Sequence, residues 1–229
     1  LGVLGGMGPA ATVEFLKRLV DQTPAGRDQD HIPTIVWNDP RVPDRSTAMK
    51  RGTDEPLPWL IQGVRGLKAA GCDYIVIPCN TAHFWFHELV KQDVPIIHIV
   101  DSVANALRQV GVTNTTIGVM GTQATVELGL YQYHLNKLGW NCVTPAKEEM
   151  DTLVQPAIDL IKAGDLETAR PMLMTVVDSL IARGVRAVVL GCTEIPLSVR
   201  DNIRSDIPLI NSIDSLVKSS IKYFENDKK

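Results

Sequence analysis

Four cysteines in 229 residues are too few for a disulfide scaffold, and no two of them lie close together at zinc-ribbon or redox-motif spacing. That usage points to a reducing, cytoplasmic setting. Apolar stretches such as Tyr74 to Pro78 and Ala187 to Leu190 fall far short of the roughly 18 to 20 residues that cross a bilayer, so no membrane partner is expected. A basic excess is also missing. With 23 Lys and Arg against 26 Asp and Glu, and a formal charge of −3, there is neither a phosphate track for nucleic acid nor a polybasic block for an anionic membrane. Trp37, Trp59, Trp85 and Trp140 come without an aromatic-basic pattern and read as packing residues. The balance favours a small-molecule partner.

Two sequence motifs are missing as well. The turn Gly5-Gly6-Met7-Gly8 runs into Pro9 and has neither the Lys-Ser/Thr of a P-loop nor a Gly-x-Gly-x-x-Gly spacing, which argues against nucleotide binding. His83 and His87 stand four apart, but there is no His-Glu-x-x-His pattern and no third ligand nearby, so packing or capping is expected and no metal. Leu1 opens inside a strand, which implies native residues ahead of it. Nothing visible resembles a signal peptide.

What is present is a duplication. Ile75-Val76-Ile77-Pro78-Cys79-Asn80-Thr81 and Val188-Val189-Leu190-Gly191-Cys192-Thr193-Glu194 share one design: an apolar run, a cysteine, then polar residues and an expected helix start. At the same offset of 113, Gly71 pairs with Gly184, Val94 to Ile97 with Ile207 to Ile210, and Asp101-Ser102 with Asp214-Ser215. Leu1 to Gly5 matches Ile117 to Gly121 at an offset of 116, and Ala-Thr-Val-Glu follows in both. This is far longer than a solenoid period.

Alternating apolar runs and helical periods predict strands at Leu1–Leu4, Ile32–Trp37, Tyr74–Ile77 and Ile96–Val100. The second set is Thr116–Met120, Gly139–Val143, Ala187–Leu190 and Leu209–Ile210. Between them, helices are expected after Pro9 and over Leu57–Ala70, Leu153–Ala163 and Met172–Arg183, with one more over Ser215–Phe224 that packs back on the first half. The reading is an α/β protein of two pseudo-symmetric domains, each a four-stranded parallel sheet flanked by helices, with an active site in the cleft between them. The expected domains are residues 1–100 plus 211–229, and 101–210. Residues 38–58 carry four prolines and no clear period, and read either as a loop over the ligand site or as a solvated excursion.

Ligands of parallel α/β sheets gather beyond the carboxyl ends of the strands, where Cys79 and Cys192 are expected. Related halves that face each other would bring one thiol to each side of a bound ligand. Inverting a carbon centre by proton transfer needs that arrangement, because one group removes a proton from one face while another supplies a proton to the opposite face. A helix start after each cysteine would favour the thiolate and bring its pKa toward neutral. The side chains of Asn80, Thr81 and Thr193, beside the backbone N–H groups of an expected helix start, would suit an α-carboxylate, while Met7 and Thr122 would line the remaining walls. Cys72 and Cys142 read as small buried hydrophobes.

These residues resemble the aspartate/glutamate racemase superfamily, whose members use paired cysteines without pyridoxal phosphate. The segments that carry the resemblance are Leu4-Gly5-Gly6-Met7-Gly8-Pro9, Pro43-Asp44-Arg45, Pro78-Cys79-Asn80-Thr81-Ala82-His83, Ile161-Lys162-Ala163-Gly164 and Gly191-Cys192-Thr193-Glu194. The resemblance implies no cofactor, Cys79 and Cys192 as the catalytic pair, Asn80, Thr81 and Thr193 on the α-carboxylate, and Arg45 and Lys162 on a distal carboxylate. By itself, Lys162 before Ala163-Gly164 would read as helix C-terminus compensation, and Arg45 as ordinary loop charge. Gly-Gly-Met-Gly in the first turn, and Glu194 where the glutamate branch has a histidine, make the chain similar to the aspartate branch. Glu194 is then the candidate to assist Cys192, with His83 its counterpart at Cys79. The expectation is a homodimeric aspartate racemase. The alternatives are a glutamate or broad-specificity racemase, a non-catalytic amino-acid-binding protein, and a redox dithiol protein.

Overall fold

The computed structural model describes residues 1–199 and 206–227. The chain divides into two compact units, Leu1–Ser102 with Ile213–Lys229, and Val103–Ser212. In chain order the first elements are β1 (Gly2–Gly5), α1 (Pro9–Gln22), β2 (Ile35–Asn38), α2 (Arg45–Arg51), α3 (Leu57–Ala69), β3 (Ile75–Val76), α4 (Phe86–Val90), β4 (Ile96–Ile97) and α5 (Ile99–Gln109). They continue with β5 (Thr116–Met120), α6 (Gln123–Glu127), α7 (Leu130–Lys137), β6 (Asn141–Val143), α8 (Lys147–Glu149), α9 (Gln155–Lys162), α10 (Leu166–Ala182), β7 (Val188–Leu190), α11 (Ile195–Ser198), β8 (Leu209–Asn211) and α12 (Ser212–Asp227).

Both units contain a four-stranded parallel sheet, ordered β2-β1-β3-β4 in one and β6-β5-β7-β8 in the other. The second order is the first carried forward by four strands, so the duplicated sequence gives duplicated topology. Val3 pairs with Val76 in the first sheet, and Val119 with Val189 in the second. Each sheet changes winding direction between its two central strands, at β1/β3 and at β5/β7. In parallel α/β sheets ligands bind at such a topological switch point, beyond the strands' carboxyl ends.

The helices follow from their apolar faces. In α1, Pro9 takes a position whose N–H has no helical partner anyway, and Ala11, Phe15 and Leu19 recur at four-residue spacing on the buried side. Leu60, Val64 and Leu67 of α3 pack with Leu4 and Ile75 in the core of the first unit. In the second unit Leu173, Val176, Val177 and Leu180 of α10 cover Val188 and Leu190, together with Ile158 and Ile161 of α9. Helix α12 belongs to the first unit, where Tyr74 Oη donates to the Ser220 carbonyl at 3.1 Å.

Three expectations change. Residues 38–58 are not an unbroken loop, because α2 forms inside them. Asp44 accepts from the Thr47 N–H at 2.7 Å, and Gly52, at φ 64°, ends the helix in the left-handed region. Only Ala48 of α2 is fully buried, so capping rather than a hydrophobic period makes this helix. The strand expected over Ile96–Val100 stops at Ile97, and Ile99 already opens α5. Helix α10 begins at Leu166 rather than Met172, because Asp165 caps it by accepting from the Thr168 N–H at 3.1 Å. Pro171 lies inside that helix.

Candidate active site

In the first unit, β1 runs into the turn that holds Met7, and β3 runs into Ile77-Pro78-Cys79. Thr12 Oγ1 accepts from the Gly6 N–H at 2.9 Å and donates to the Gly8 carbonyl at 3.2 Å, which ties the turn to α1. Gly6 has φ 94°, and a Cβ there would come 2.5 Å from the Asp39 backbone. Both the conformation and the close approach therefore require glycine. Met7 is buried in the core of this unit.

Cys79 is 4 % exposed, and Asn80 and Thr81 beside it are buried as well. The segment after Cys79 is a 3-10 helix over Thr81–Trp85 that leads into α4. His83 Nδ1 lies 2.8 Å from the Cys79 carbonyl, and its Nε2 accepts from the Ile99 N–H at 3.2 Å. Trp85 Nε1 donates to Asp54 Oδ1 at 2.7 Å, joining the Pro-rich segment to the cysteine segment. Arg45, at the start of α2, donates from Nη1 to the carbonyls of Val42 and Pro43. Its Nε is buried with no hydrogen-bond partner among the described residues, where a buried donor ordinarily has one.

The second unit repeats the arrangement with different side chains. Thr122, after β5, caps α6 by accepting from the Thr125 N–H at 3.2 Å. The Gly191 N–H donates to the Met120 carbonyl at 2.6 Å and holds the exit of β7 against the end of β5. A Cβ on Gly191 would come 2.7 Å from the Tyr131 ring and 2.9 Å from the Met120 carbonyl oxygen, so the Tyr131 ring packs close to the residue before Cys192. Burial pushes the Tyr131 phenol above its usual range, against the pull of its hydrogen bond with Ser212.

Cys192 is 2 % exposed, and its Sγ donates to Glu194 Oε2 at 3.0 Å. Thr193 Oγ1 donates to the same oxygen at 3.2 Å. Burial pushes the Cys192 thiol well above its ordinary value, and the Glu194 carboxylate, by charge and hydrogen bond, pushes it further. The Glu194 backbone and the Lys162 ammonium act in the opposite sense. A thiolate favoured by a following helix is therefore not the resting form of Cys192. Helix α11 starts three residues later and has only four residues, too short a dipole to outweigh burial and an adjacent carboxylate. Lys162, in the last turn of α9, is exposed and makes no hydrogen bond or ion pair among the described residues.

The structure thus gathers Met7, Cys79, Asn80, Thr81 and His83 near the switch point of the first sheet, and Thr122, Lys162, Cys192, Thr193 and Glu194 near that of the second. Arg45 stands on α2, in the segment joined to the Cys79 side through Asp54. Sequence reasoning missed Tyr131 and His98. Tyr131 belongs to no repeated motif. His98 sits immediately before α5, in the place where a capping side chain is sought. Among the described residues, no group of three or more His, Cys, Asp or Glu side chains is placed to hold a metal ion, and no helix is long and apolar enough to cross a membrane.

Comparison with known proteins gives a consistent result. The sequence model of the family described as Asp/Glu/Hydantoin racemase matches residues 4–219. An aspartate racemase structure from Picrophilus torridus superposes with a TM-score of 0.85 at 33% sequence identity, covering 97% of this chain and 93% of that one. The broad specificity amino-acid racemase RacX of Bacillus subtilis (strain 168) is 27% identical over 98% of this chain and 97% of its own length. A glutamate racemase of Persephonella marina is 29% identical over 65% of this chain and 56% of its own.

Proposed function

Because the chain belongs to the Asp/Glu/Hydantoin racemase family, we propose that it interconverts L- and D-aspartate by two-base proton transfer, with Cys79 and Cys192 as the acid and base. The observation that carries this reading is the matched placement of the two thiols. Each follows the third strand of an identically ordered sheet, at that sheet's switch point.

In the proposed cycle one cysteine, as thiolate, removes the α-proton from one face while the other, as thiol, protonates the opposite face. The C–H bond breaks, its electron pair delocalises into the α-carboxylate, and a new C–H bond forms with inverted configuration. The reverse reaction exchanges the roles, so no net proton is gained or lost. Glu194 supports the step at Cys192 because a carboxylate 3.0 Å from Sγ can take the thiol proton before Cys192 acts as base. Cys192 then holds the α-proton, Cys79 is left as thiolate, and proton exchange with solvent at Glu194 and Cys79 restores the resting state. The high resting pKa leaves the thiol form dominant, and the thiolate, once formed, is a strong base.

Asn80, Thr81 and Thr193 are assigned to the α-carboxylate, where fixed donors meet the charge that develops as the α-carbon loses its proton. Met7 and Thr122 line the walls. Arg45 and Lys162 are assigned to the distal carboxylate. The Nε of Arg45, without a partner among the described residues, supports this, since a guanidinium fork suits a carboxylate, and so does the influence of the Lys162 ammonium on Cys192. A second reading, a racemase that also accepts glutamate or a broad range of amino acids, is favoured by the names of the Bacillus and Persephonella relatives.

Incubation with L-aspartate in heavy water tests the proposal. D-aspartate should appear with one solvent deuterium at the α-carbon. Equal turnover of L-glutamate or neutral amino acids would select the second reading, and tight binding without label would make the chain a non-catalytic binder.

A further inference from the structure

Two buried imidazoles face each other behind Cys79, and the proposed chemistry does not use His98 at all. The ring centroids of His83 and His98 are 4.8 Å apart at 60°, with Phe86 edge-on to His98 at 4.5 Å. Both rings serve the start of α5. The Ile99 N–H donates to His83 Nε2 at 3.2 Å, and the Val100 N–H donates to His98 Nδ1 at 3.1 Å. The His98 carbonyl accepts from the Ser102 N–H at 3.1 Å and from the Ser102 hydroxyl at 3.2 Å. The first amides of α5, which have no helical acceptor, are thus capped by imidazole nitrogens.

A peptide N–H can only donate. The nitrogen it meets must carry a lone pair, so neither ring can be an imidazolium without losing its cap, and a cation at a helix N-terminus is itself unfavourable. His83 therefore holds its single proton on Nδ1, which donates to the Cys79 carbonyl at 2.8 Å. By the same logic the His98 proton sits on Nε2. The result is one directed chain, from the Ile99 amide through His83 to the Cys79 carbonyl. Hydrogen bonds in series polarise one another, and the chain ends on the carbonyl of the Cys79-Asn80 peptide.

We infer that His83 is a positioning residue for Cys79, locked as the neutral Nδ1–H tautomer between the Cys79 carbonyl and the start of α5, with His98 as the neutral Nε2–H partner that caps the next amide. The inference rests on the proposed role of Cys79. It gives His83 no proton to exchange with substrate, which differs from a direct assisting role at the thiol.

The test uses the full chain labelled with 15N-histidine. At pH 7, long-range 1H–15N spectra should show His83 protonated at Nδ1 and bare at Nε2, and His98 the reverse, with exposed His87 as internal reference. A His83 protonated at Nε2, or at both nitrogens, overturns the inference. For racemisation, His83→Ala should lower kcat about 10- to 100-fold, the scale of a small misplacement of a reacting group, while KM moves less than about twofold. His83→Gln, whose amide offers a donor and an acceptor together, should restore most of the loss. Wild-type kcat in the Ala variant, or a Gln variant no better than Ala, overturns it. If the wild-type chain turns over no amino acid, the functional reading fails, and iodoacetamide labelling decides the inference separately. Cys79 alkylation should then change at least about fivefold in His83→Ala with Cys192 unaffected, and an unchanged Cys79 rate refutes it.

Discussion

Cys192 Sγ donates to Glu194 Oε2 across 3.0 Å, so a buried thiol has its proton acceptor two residues further along the same turn. Burial raises the thiol, and the carboxylate that raises it further is also the group that can deprotonate it. In the proposed reaction, Glu194 thus adds to the effect of burial in favouring the protonated sulfur at rest and offers a route to the thiolate.

Glu194→Gln should separate those two effects. Loss of the carboxylate charge removes one cause of the raised Cys192 pKa, so the pH profile of Cys192 alkylation should move to lower pH. Racemisation should nevertheless fall about 100- to 10,000-fold, the usual contribution of a positioned base. A variant with near wild-type turnover would exclude Glu194 as the proton acceptor.

Cys79→Ser and Cys192→Ser should each abolish racemisation, and each should still exchange the α-proton of one enantiomer only, the opposite one in the two variants. Deuterium uptake from heavy water with each enantiomer reads this directly. Loss of exchange for both enantiomers in both variants would argue against one face per thiol.

Lys162→Met should push the Cys192 alkylation profile to higher pH, because the ammonium acts to lower that thiol's pKa. Arg45→Ala should reduce kcat/KM for aspartate about 10- to 100-fold, the scale of a lost charged hydrogen bond, and leave a neutral amino acid comparatively untouched. Equal losses on aspartate and alanine would remove Arg45 from the distal-carboxylate role.

Gly191→Ala should destabilise the fold by about 1 to 3 kcal/mol, the usual cost of overpacking. The new methyl meets the Tyr131 ring at 2.7 Å and the Met120 carbonyl oxygen at 2.9 Å. Urea denaturation measures the cost, and no loss would mean that the Tyr131 ring moves freely.

Alkaline pH should also destabilise the chain. Burial pushes Cys142 from its ordinary value of 9.0 up to about 12. The unfolded thiol ionises first, so this contribution is intact below the unfolded value of 9.0 and is lost progressively as pH rises to about 12. The urea midpoint should fall over that window, and Cys142→Ser should flatten the fall. Identical slopes in both proteins would show that Cys142 does not titrate differently on folding.

Local patterns in the sequence determined the strands, most helices and the two cysteine turns, because a parallel sheet requires continuous apolar runs and a surface helix requires an apolar stripe. The offset of 113 residues carried the repeat into two sheets of the same order. Glu194 was legible too, since it lies within reach of Cys192 along the chain. Helix α2 was less so, as it is specified by the Asp44 cap and the Gly52 stop with almost no buried face. Tertiary structure alone decided the rest. Tyr131 meets Gly191, and Ile99 meets His83, only because packing brings distant segments together. The raised pKa of Cys192 is likewise a property of burial, which overrides the local preference of a cysteine before a helix because desolvating a thiolate costs more than a four-residue helix returns.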